Sequence, residues 1–324
     1  MTISDPIYGE IKITEPGLLE LIATPAMECL RGIDQNVTAS LIPVPWGDYS
    51  RFDHSLGVMY LIARFGGSVE EQIAGLLHDV SHTAFSHAMD YVFDNQGTQD
   101  FHEQHLARIV EQSNIPEILK RYGLQAERIL NHANFSILEQ TLPALCADRV
   151  DYALKTFHLL GVLPSQTISE FLHYLTTSQG KIVFTDEDKA RQFAELFMNA
   201  ENQVWGGGAL GNLAYQKFSE IVKRAYDRGE IALDDFFTTD REFLQKLGNT
   251  SRKELEKLRN TKFREVTAAE DFDLHLNAKI RYVDPPVKIN NEVKKLSEIN
   301  SEFARELREF LEKRKRGNYV KIVE

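Results

Sequence analysis

Apolar positions recur at helical spacing along most of the chain. Leu56, Met59, Tyr60 and Ala63 mark one amphipathic stretch over 52–65, and Ile73, Leu76 and Leu77 mark another over 69–79. The same spacing predicts helices around 84–93, 101–112, 115–130, 141–160 and 167–176. Two longer ones follow over 187–203 and 209–228, around Gly206-Gly207-Gly208, and two more at 240–247 and 251–260. Leu18, Leu19, Leu21 and Ile22 open a helix that Pro25 must break or restart. Period-two signals are fewer. Asp5-Pro6-Ile7-Tyr8-Gly9 followed by Glu10 to Ile13 reads as a turn and a short strand, and Gly180 to Phe184 as a hairpin arm. Residues 271–283 alternate strictly. Phe272, Leu274, Leu276, Ala278, Ile280 and Tyr282 fall on one face, and His275, Asn277, Lys279 and Arg281 on the other, which predicts a strand ended by Pro285-Pro286. A charged amphipathic helix over 289–316 and a last strand over Tyr319 to Val323 complete the pattern. No internal repeat is present. The expected fold is mainly α, a helical bundle over 1–263 with short β elements. A small α+β extension over 264–324 belongs to the same globular unit.

Charge narrows the partners. Lys plus Arg number 37 and Asp plus Glu 48, a net charge of −11. An acidic chain is poorly suited to coating DNA or RNA, yet a local site can still hold a small phosphorylated ligand. The two cysteines, Cys29 and Cys146, exclude a disulfide scaffold and fit a reducing cytoplasm. The opening Met1-Thr2-Ile3-Ser4-Asp5-Pro6 lacks a signal-peptide pattern, and no apolar run has the length of a membrane span.

The candidate chemistry lies in the histidines. Six of the ten, His54, His78, His82, His87, His102 and His105, fall between positions 54 and 105, several beside carboxylates. Leu76-Leu77-His78-Asp79 ends an apolar helical run in two metal-ligating side chains. Imidazole and carboxylate together suit a divalent ion with open positions for water. Asp148 and Asp151 lie inside another apolar helical pattern, and burying either without a partner costs several kcal/mol.

His54, His78-Asp79 and Asp148 follow the H…HD…D order of the HD-domain metal phosphohydrolases. Asp5-Pro6-Ile7-Tyr8-Gly9, Arg51-Phe52-Asp53-His54-Ser55-Leu56-Gly57-Val58 and the run from Ile73 to His87 resemble the deoxynucleoside triphosphate triphosphohydrolase branch, over roughly residues 3–225. No sterile-alpha-motif domain accompanies them. The resemblance implies an HD-domain bundle that hydrolyses nucleotides, with a dNTP cut to deoxynucleoside and triphosphate as the expected reaction. It implies His54, His78, Asp79 and Asp148 as ligands of a divalent metal (Mn, Fe, Ni, Zn or Mg). It also implies His82, His87 and His102 on the phosphate side, with Asp90 orienting His87. His82 would lie one turn after His78 if the helix continues. Arg51 and Arg149 would neutralise phosphate charge, and Gln35, Tyr152 and Tyr215 would border the substrate. Relatives assemble as homodimers or homotetramers.

Plainer roles stand beside these. His102 can cap a helix, Arg51 can pair with Asp53 or another acid, and Tyr152 and Tyr215 can be core. Asp151 can hold metal or anchor Arg149, the second being favoured. His105 is read as surface, and His132, His158, His173 and His275 receive no role. Lys313-Arg314-Lys315-Arg316 reads as a solvated helix end rather than a nucleic-acid contact. The rival functions are an HD phosphatase or nuclease on another phosphorylated substrate, or a non-catalytic nucleotide sensor or nucleic-acid-binding protein. Thr156 stands where the branch places an acid for the sugar 3′-hydroxyl, and Gly207 and Gly211 where it places an arginine and a histidine. Ala23, Glu28 and Arg31 align with its guanine-nucleotide site, and Ala23 cannot accept a hydrogen bond from a guanine edge. Guanine nucleotides are therefore expected to leave turnover unchanged. Activation by GTP that Arg31→Ala abolishes is the contrary result.

Overall fold

The computed structural model describes residues 1–36, 41, 47–205, 208–290 and 292–323. Gly206 and Gly207 lie outside the described residues. The chain opens with a hairpin, β1 (Thr2–Asp5) and β2 (Gly9–Lys12), closed by the turn around Pro6. Helices α1 (Pro16–Ile22) and α2 (Pro25–Cys29) follow, and Pro25 starts the second one. Proline suits a first helical position because its missing N–H has no helical partner there.

The central pair is α3 (Arg51–Arg64) and α4 (Val69–Leu77). Ser50 and Asp53 form a capping box at the start of α3, so Asp53 is spent on the cap and not on Arg51. Ser68 caps α4. The two helices cross closely because Gly75 of α4 faces Ile62, whose Cδ1 would lie 2.4 Å from any added Cβ. Short helices continue the bundle: α5 (Ala88–Val92), α6 (Phe101–Gln104), α7 (Leu106–Glu111), α8 (Ile115–Arg121) and α9 (Ala126–Leu130). Then come α10 (Ala147–Leu159), α11 (Ser165–His173), the hairpin β3 (Leu175–Ser178) and β4 (Lys181–Phe184), and the long α12 (Glu187–Gln203) and α13 (Ala209–Asp227). Helices α14 (Asp240–Lys246) and α15 (Asn249–Asn260) lead to β5 (Lys262–Val266), β6 (Leu274–Leu276), β7 (Pro286–Ile289) and β8 (Glu292–Lys295). Helices α16 (Leu296–Ile299) and α17 (Ser301–Lys315) and strand β9 (Asn318–Val323) end the chain. The fold is mainly α with small sheets. No helix among the described residues is long and apolar enough to cross a membrane.

Several expected elements differ. The helices expected over 101–112 and 115–130 are each divided in two, and the one expected over 141–160 starts only at Ala147. The strand over 271–283 shrinks to β6, because its partner runs out. Leu276 pairs with Asn318, the first residue of β9, and Gly317 before it turns away at φ +71°. Beyond Leu276 the chain has no ladder and runs as irregular backbone. The helix over 289–316 starts late, since Asn290 at φ +57° makes a hairpin of β7 and β8 and Asn300 caps α17. Nor is Lys313 to Arg316 a fully solvated end. Arg314 is buried, with Nη2 3.4 Å from the buried Glu201 carboxylate.

The core divides. One large cluster joins β2, α1, α3, α4, α10 and α12 with Phe303 and Leu307 of α17, a second packs Phe85, Phe218, Phe236 and Phe243, and a small third joins Ala209 and Leu213 to Leu276 and Val320. The stretch from His78 to His87 crosses from the first to the second. A buried carboxylate braces this region: Glu71 accepts hydrogen bonds from the N–H groups of Ile137 (2.7 Å) and Leu138 (3.2 Å), tying α4 to the segment that leads into α10. Glu71→Ala should leave both donors buried without partners and lower stability by about 1–3 kcal/mol in urea unfolding. An unchanged midpoint is the contrary outcome.

Candidate metal centre and its cavity

The site forms where α3, the C-terminal end of α4 and the first turn of α10 meet. His54 is fully buried, with Nδ1 2.7 Å from Asp151 Oδ2 and Nε2 2.9 Å from Asp148 Oδ1. Asp151 is itself fixed, its Oδ1 receiving the Tyr8 hydroxyl at 2.8 Å and lying 3.2 Å from Lys155 Nζ. A neutral His54 that donates from Nδ1 to Asp151 turns a lone pair toward Asp148. Two acceptors 2.9 Å apart then require a cation, a proton or a metal, between them.

His78 caps α4 and donates from Nδ1 to the Gly75 carbonyl at 2.7 Å, which directs the lone pair of Nε2 into the cluster. That Nε2 is buried with no hydrogen-bond partner. It lies 3.5 Å from Asp79 Oδ1 and 3.8 Å from Asp148 Oδ1, and His54 Nε2 lies 3.9 Å from Asp79 Oδ2. Bonds of about 2.1 Å place two ligand atoms about 3 Å apart at right angles and about 4.2 Å apart when opposite. The four separations fall within that span, so the donor set fits a divalent metal. His54, His78 and Asp148 bring their ligand atoms within 4.8 Å of one another. Asp79 stands at the margin, because its Oδ2 also accepts from Arg51 Nη1 at 2.7 Å. Burial opposes charge on His78, but Asp79 and Asp148 outweigh it and raise its pKa to about 9. Without a metal, protons carry the positive charge that these carboxylates demand.

A second group of imidazoles adjoins the first. Helix α4 stops at Leu77, so turns rather than helical periodicity bring His82 to the site. His82 stacks on His102 with ring centroids 4.0 Å apart, and His87 lies 5.0 and 5.6 Å from them. His87 Nδ1 is 3.0 Å from Asp90 Oδ2. Burial holds all three histidines below their ordinary pKa, aided by Arg51 for each and by Arg281 and Lys279 for His87; His102 falls to about 3. The turn that carries His87 is strained. Phe85 and Ser86 have φ of 57° and 47°, a costly region for residues with side chains. Asp240 Oδ1 holds the Phe85 N–H at 2.6 Å, and Ser86 Oγ bridges the Asp34 carbonyl and Arg51 Nε.

Part of these groups opens on one cavity of about 490 Å³, within the usual range for small-ligand sites, whereas His54, Asp90 and, against expectation, His82 do not line it. Gln35, Arg51, Arg149, Tyr152 and Tyr215 all line it with His78, Asp79, His87, His102 and Asp148. Arg51 keeps Nη2 buried without a partner. Arg149 is turned to its own loop, donating to the carbonyls of Ala144 (2.5 Å) and Gln140 (3.2 Å). Asp151 therefore braces His54 and does not anchor Arg149. Thr156 is fully buried and accepts from Trp205 Nε1 at 3.2 Å, and Trp205 takes the place at the cavity wall.

Sequence reasoning missed several wall residues. His132, with its ring 6.4 Å from His78, sits in a single 3₁₀ turn, His132–Asn134, too short to give a periodic signal. Glu103, pushed up to about 7 by burial and then by Asp100 and Glu139, stood beside a noted histidine. Lys279 and Arg281 were visible only as the polar face of a supposed strand.

A family model described as HD domain matches residues 51–154. YdhJ of Bacillus subtilis (strain 168), which bears no activity in its name, is 34% identical over 100% of this chain and 99% of its own. The metal-dependent phosphohydrolase cns2 of Cordyceps militaris is 30% identical over 88% of this chain and 84% of its own. The deoxynucleoside triphosphate triphosphohydrolase SAMHD1 of Bos taurus is 33% identical over 76% of this chain and 54% of that protein.

The bracing of His54 is testable. A Cβ on Gly57 would lie 1.9 Å from Asp151 Oδ1, so Gly57→Ala must displace that carboxylate. Gly57→Ala and Asp151→Asn should each weaken divalent-metal binding about 10–100-fold in chelator competition. Affinity equal to wild type contradicts the bracing role.

Proposed function

The chain belongs to the HD-domain metal-dependent phosphohydrolases, and on that premise we propose that it hydrolyses a dNTP to deoxynucleoside and triphosphate. One observation carries the reading: a metal-fitting cluster, a group of neutral histidines and several cations meet at one cavity. Held by His54, His78, Asp79 and Asp148, a divalent ion would supply Lewis acidity to a phosphoryl oxygen and a water.

The other roles fall to the chain. Water adds to the α-phosphorus and the bond to the 5′-oxygen breaks. The 5′-oxygen leaves as a hydroxyl, and the remaining hydrogen of water stays with triphosphate or solvent. Arg51 Nη2, buried and unpaired, takes a phosphate oxygen, while Nη1 stays on Asp79. Asp90 holds Nδ1 of His87, which leaves Nε2 to protonate the 5′-oxygen. In the free protein burial and nearby cations keep His87 neutral. A polyanion offsets those cations, so the site gains its acid together with its substrate. His102, backed by the stacked ring of His82, forms a wall beside it, and Gln35, Tyr152 and Tyr215 border the sugar. Arg149 braces the 140–146 loop and acts on phosphate through its charge. The reading includes a homodimer or homotetramer working in the cytoplasm, with residues 264–324 as an extension of the catalytic unit.

Thr156 behind Trp205 favours a second reading, an HD phosphatase of broader substrate range, because no acid stands there for a 3′-hydroxyl. A panel of dNTPs, NTPs and nucleoside monophosphates with Mn²⁺, Fe²⁺ or Mg²⁺ separates the two. Deoxynucleoside and tripolyphosphate should appear with dNTPs, and His78→Ala should lower kcat by at least about 100-fold. If dNTPs persist while another phosphate ester is cleaved in a His78-dependent way, the broader reading replaces the first.

A further inference from the structure

We infer that Lys279 and Arg281 form a cation pair that receives the distal phosphates of a polyphosphorylated substrate. The inference rests on the phosphohydrolase reading of the same cavity and narrows its substrate to molecules bearing two or more linked phosphates.

The pair lies far from the HD-domain match at 51–154, on backbone that has left its sheet. Lys279 and Arg281 nevertheless both line the cavity. Each is held by neutral acceptors. Lys279 Nζ donates to the Thr98 carbonyl at 2.7 Å, and Arg281 donates to the Trp205 carbonyl at 3.0 Å and to Gln99 Oε1. Among the described residues no carboxylate forms an ion pair within 4.0 Å of either side-chain cation; Glu103, Asp90 and Glu139 act on Lys279 at longer range, and the buried Glu201 carboxylate interacts with Arg281. Burial, and then Arg281, lower the Lys279 pKa.

The other cavity cations are committed. Arg51 is paired with Asp79, and Arg149 with loop carbonyls and Glu139. Lys279 and Arg281 are therefore the cavity cations whose side chains, among the described residues, touch neutral acceptors and no carboxylate. Two like charges in a partly closed pocket repel, and an anion spanning both relieves the repulsion and the desolvation together. A single phosphate is already served by Arg51 and the metal-fitting cluster, so this second anion site gains most from a chain of phosphates. Its influence on His87 places it within electrostatic reach of that imidazole.

The test titrates holoenzyme with Mg²⁺-saturated tripolyphosphate and with orthophosphate by calorimetry at low salt. Wild type should bind tripolyphosphate, and K279Q/R281Q should bind it about 10–100-fold more weakly, with orthophosphate changed less than about threefold. The charge-preserving K279R/R281K should stay within about threefold of wild type, which separates charge from any packing role. Melting temperature and metal content accompany each variant, and single variants replace the double one if it does not fold. Equal tripolyphosphate affinity in wild type and K279Q/R281Q overturns the inference. So does a wild type that binds no tripolyphosphate, or a loss equally large for orthophosphate. Binding that depends on the pair without any nucleotide hydrolysis defeats the nucleotide reading and leaves the cation pair standing. Nucleotide hydrolysis with unchanged kcat/KM in K279Q/R281Q does the reverse.

Discussion

The buried carboxylate of Asp151 sets the terms for the rest of the molecule. It is fully inaccessible to solvent, and a carboxylate removed from water must be paired or it costs several kcal/mol. Three parts of the chain answer that demand. The N-terminal hairpin supplies the Tyr8 hydroxyl, α10 supplies Lys155 one turn along, and α3 supplies His54. Gly57 lets α3 come close enough, because any side chain there would occupy the same space as the carboxylate. Once Asp151 holds Nδ1 of His54, Nε2 faces Asp148, and two acceptors at 2.9 Å call for a cation. The candidate metal centre is thus the outward end of a chain of partners that begins at the hairpin.

A second constraint comes from the divided core. Leu77 and Val80 belong to one cluster and Phe85 to another, so the backbone between them crosses the seam carrying His78, Asp79 and His82. The crossing forces a strained turn at Phe85 and Ser86, and Asp240 from α14 stabilises it. Asp79 and Asp148 belong to the metal-fitting cluster, and Lys279 and Arg281 line the same cavity together with Glu103 and Glu139. A net charge of −11 describes the surface; the cavity carries its own charge pattern, suited to a metal at one place and a polyanion beside it.

Helix positions were largely legible, because amphipathic periodicity reports which face is buried and needs no knowledge of the partner. The segment 271–283 shows the limit. Its alternation puts Lys279 and Arg281 on one face, but a strand also needs a neighbour, and β9 begins opposite Leu276. The region after Ile289 failed for a related reason. Its charged periodicity suits a helix, yet pairing of Val287 with Phe184 and the left-handed Asn290 make it a hairpin. Arg314 read as solvated because its neighbours are cations, while Glu201, its partner, lies 113 positions away.

The sequence by itself determined the order of the candidate metal ligands, the histidine-rich stretch and the helical character of the bundle. These are properties of spacing and residue type, and spacing survives without coordinates. Only the tertiary structure decided that Asp151 braces His54, that Arg149 turns to its own loop, that Trp205 replaces Thr156 at the wall, and that Lys279 and Arg281 enter the cavity. Each depends on contacts between distant parts of the chain, where burial makes an unpaired charge costly. The partner that meets that cost is chosen by the fold and not by neighbours in sequence.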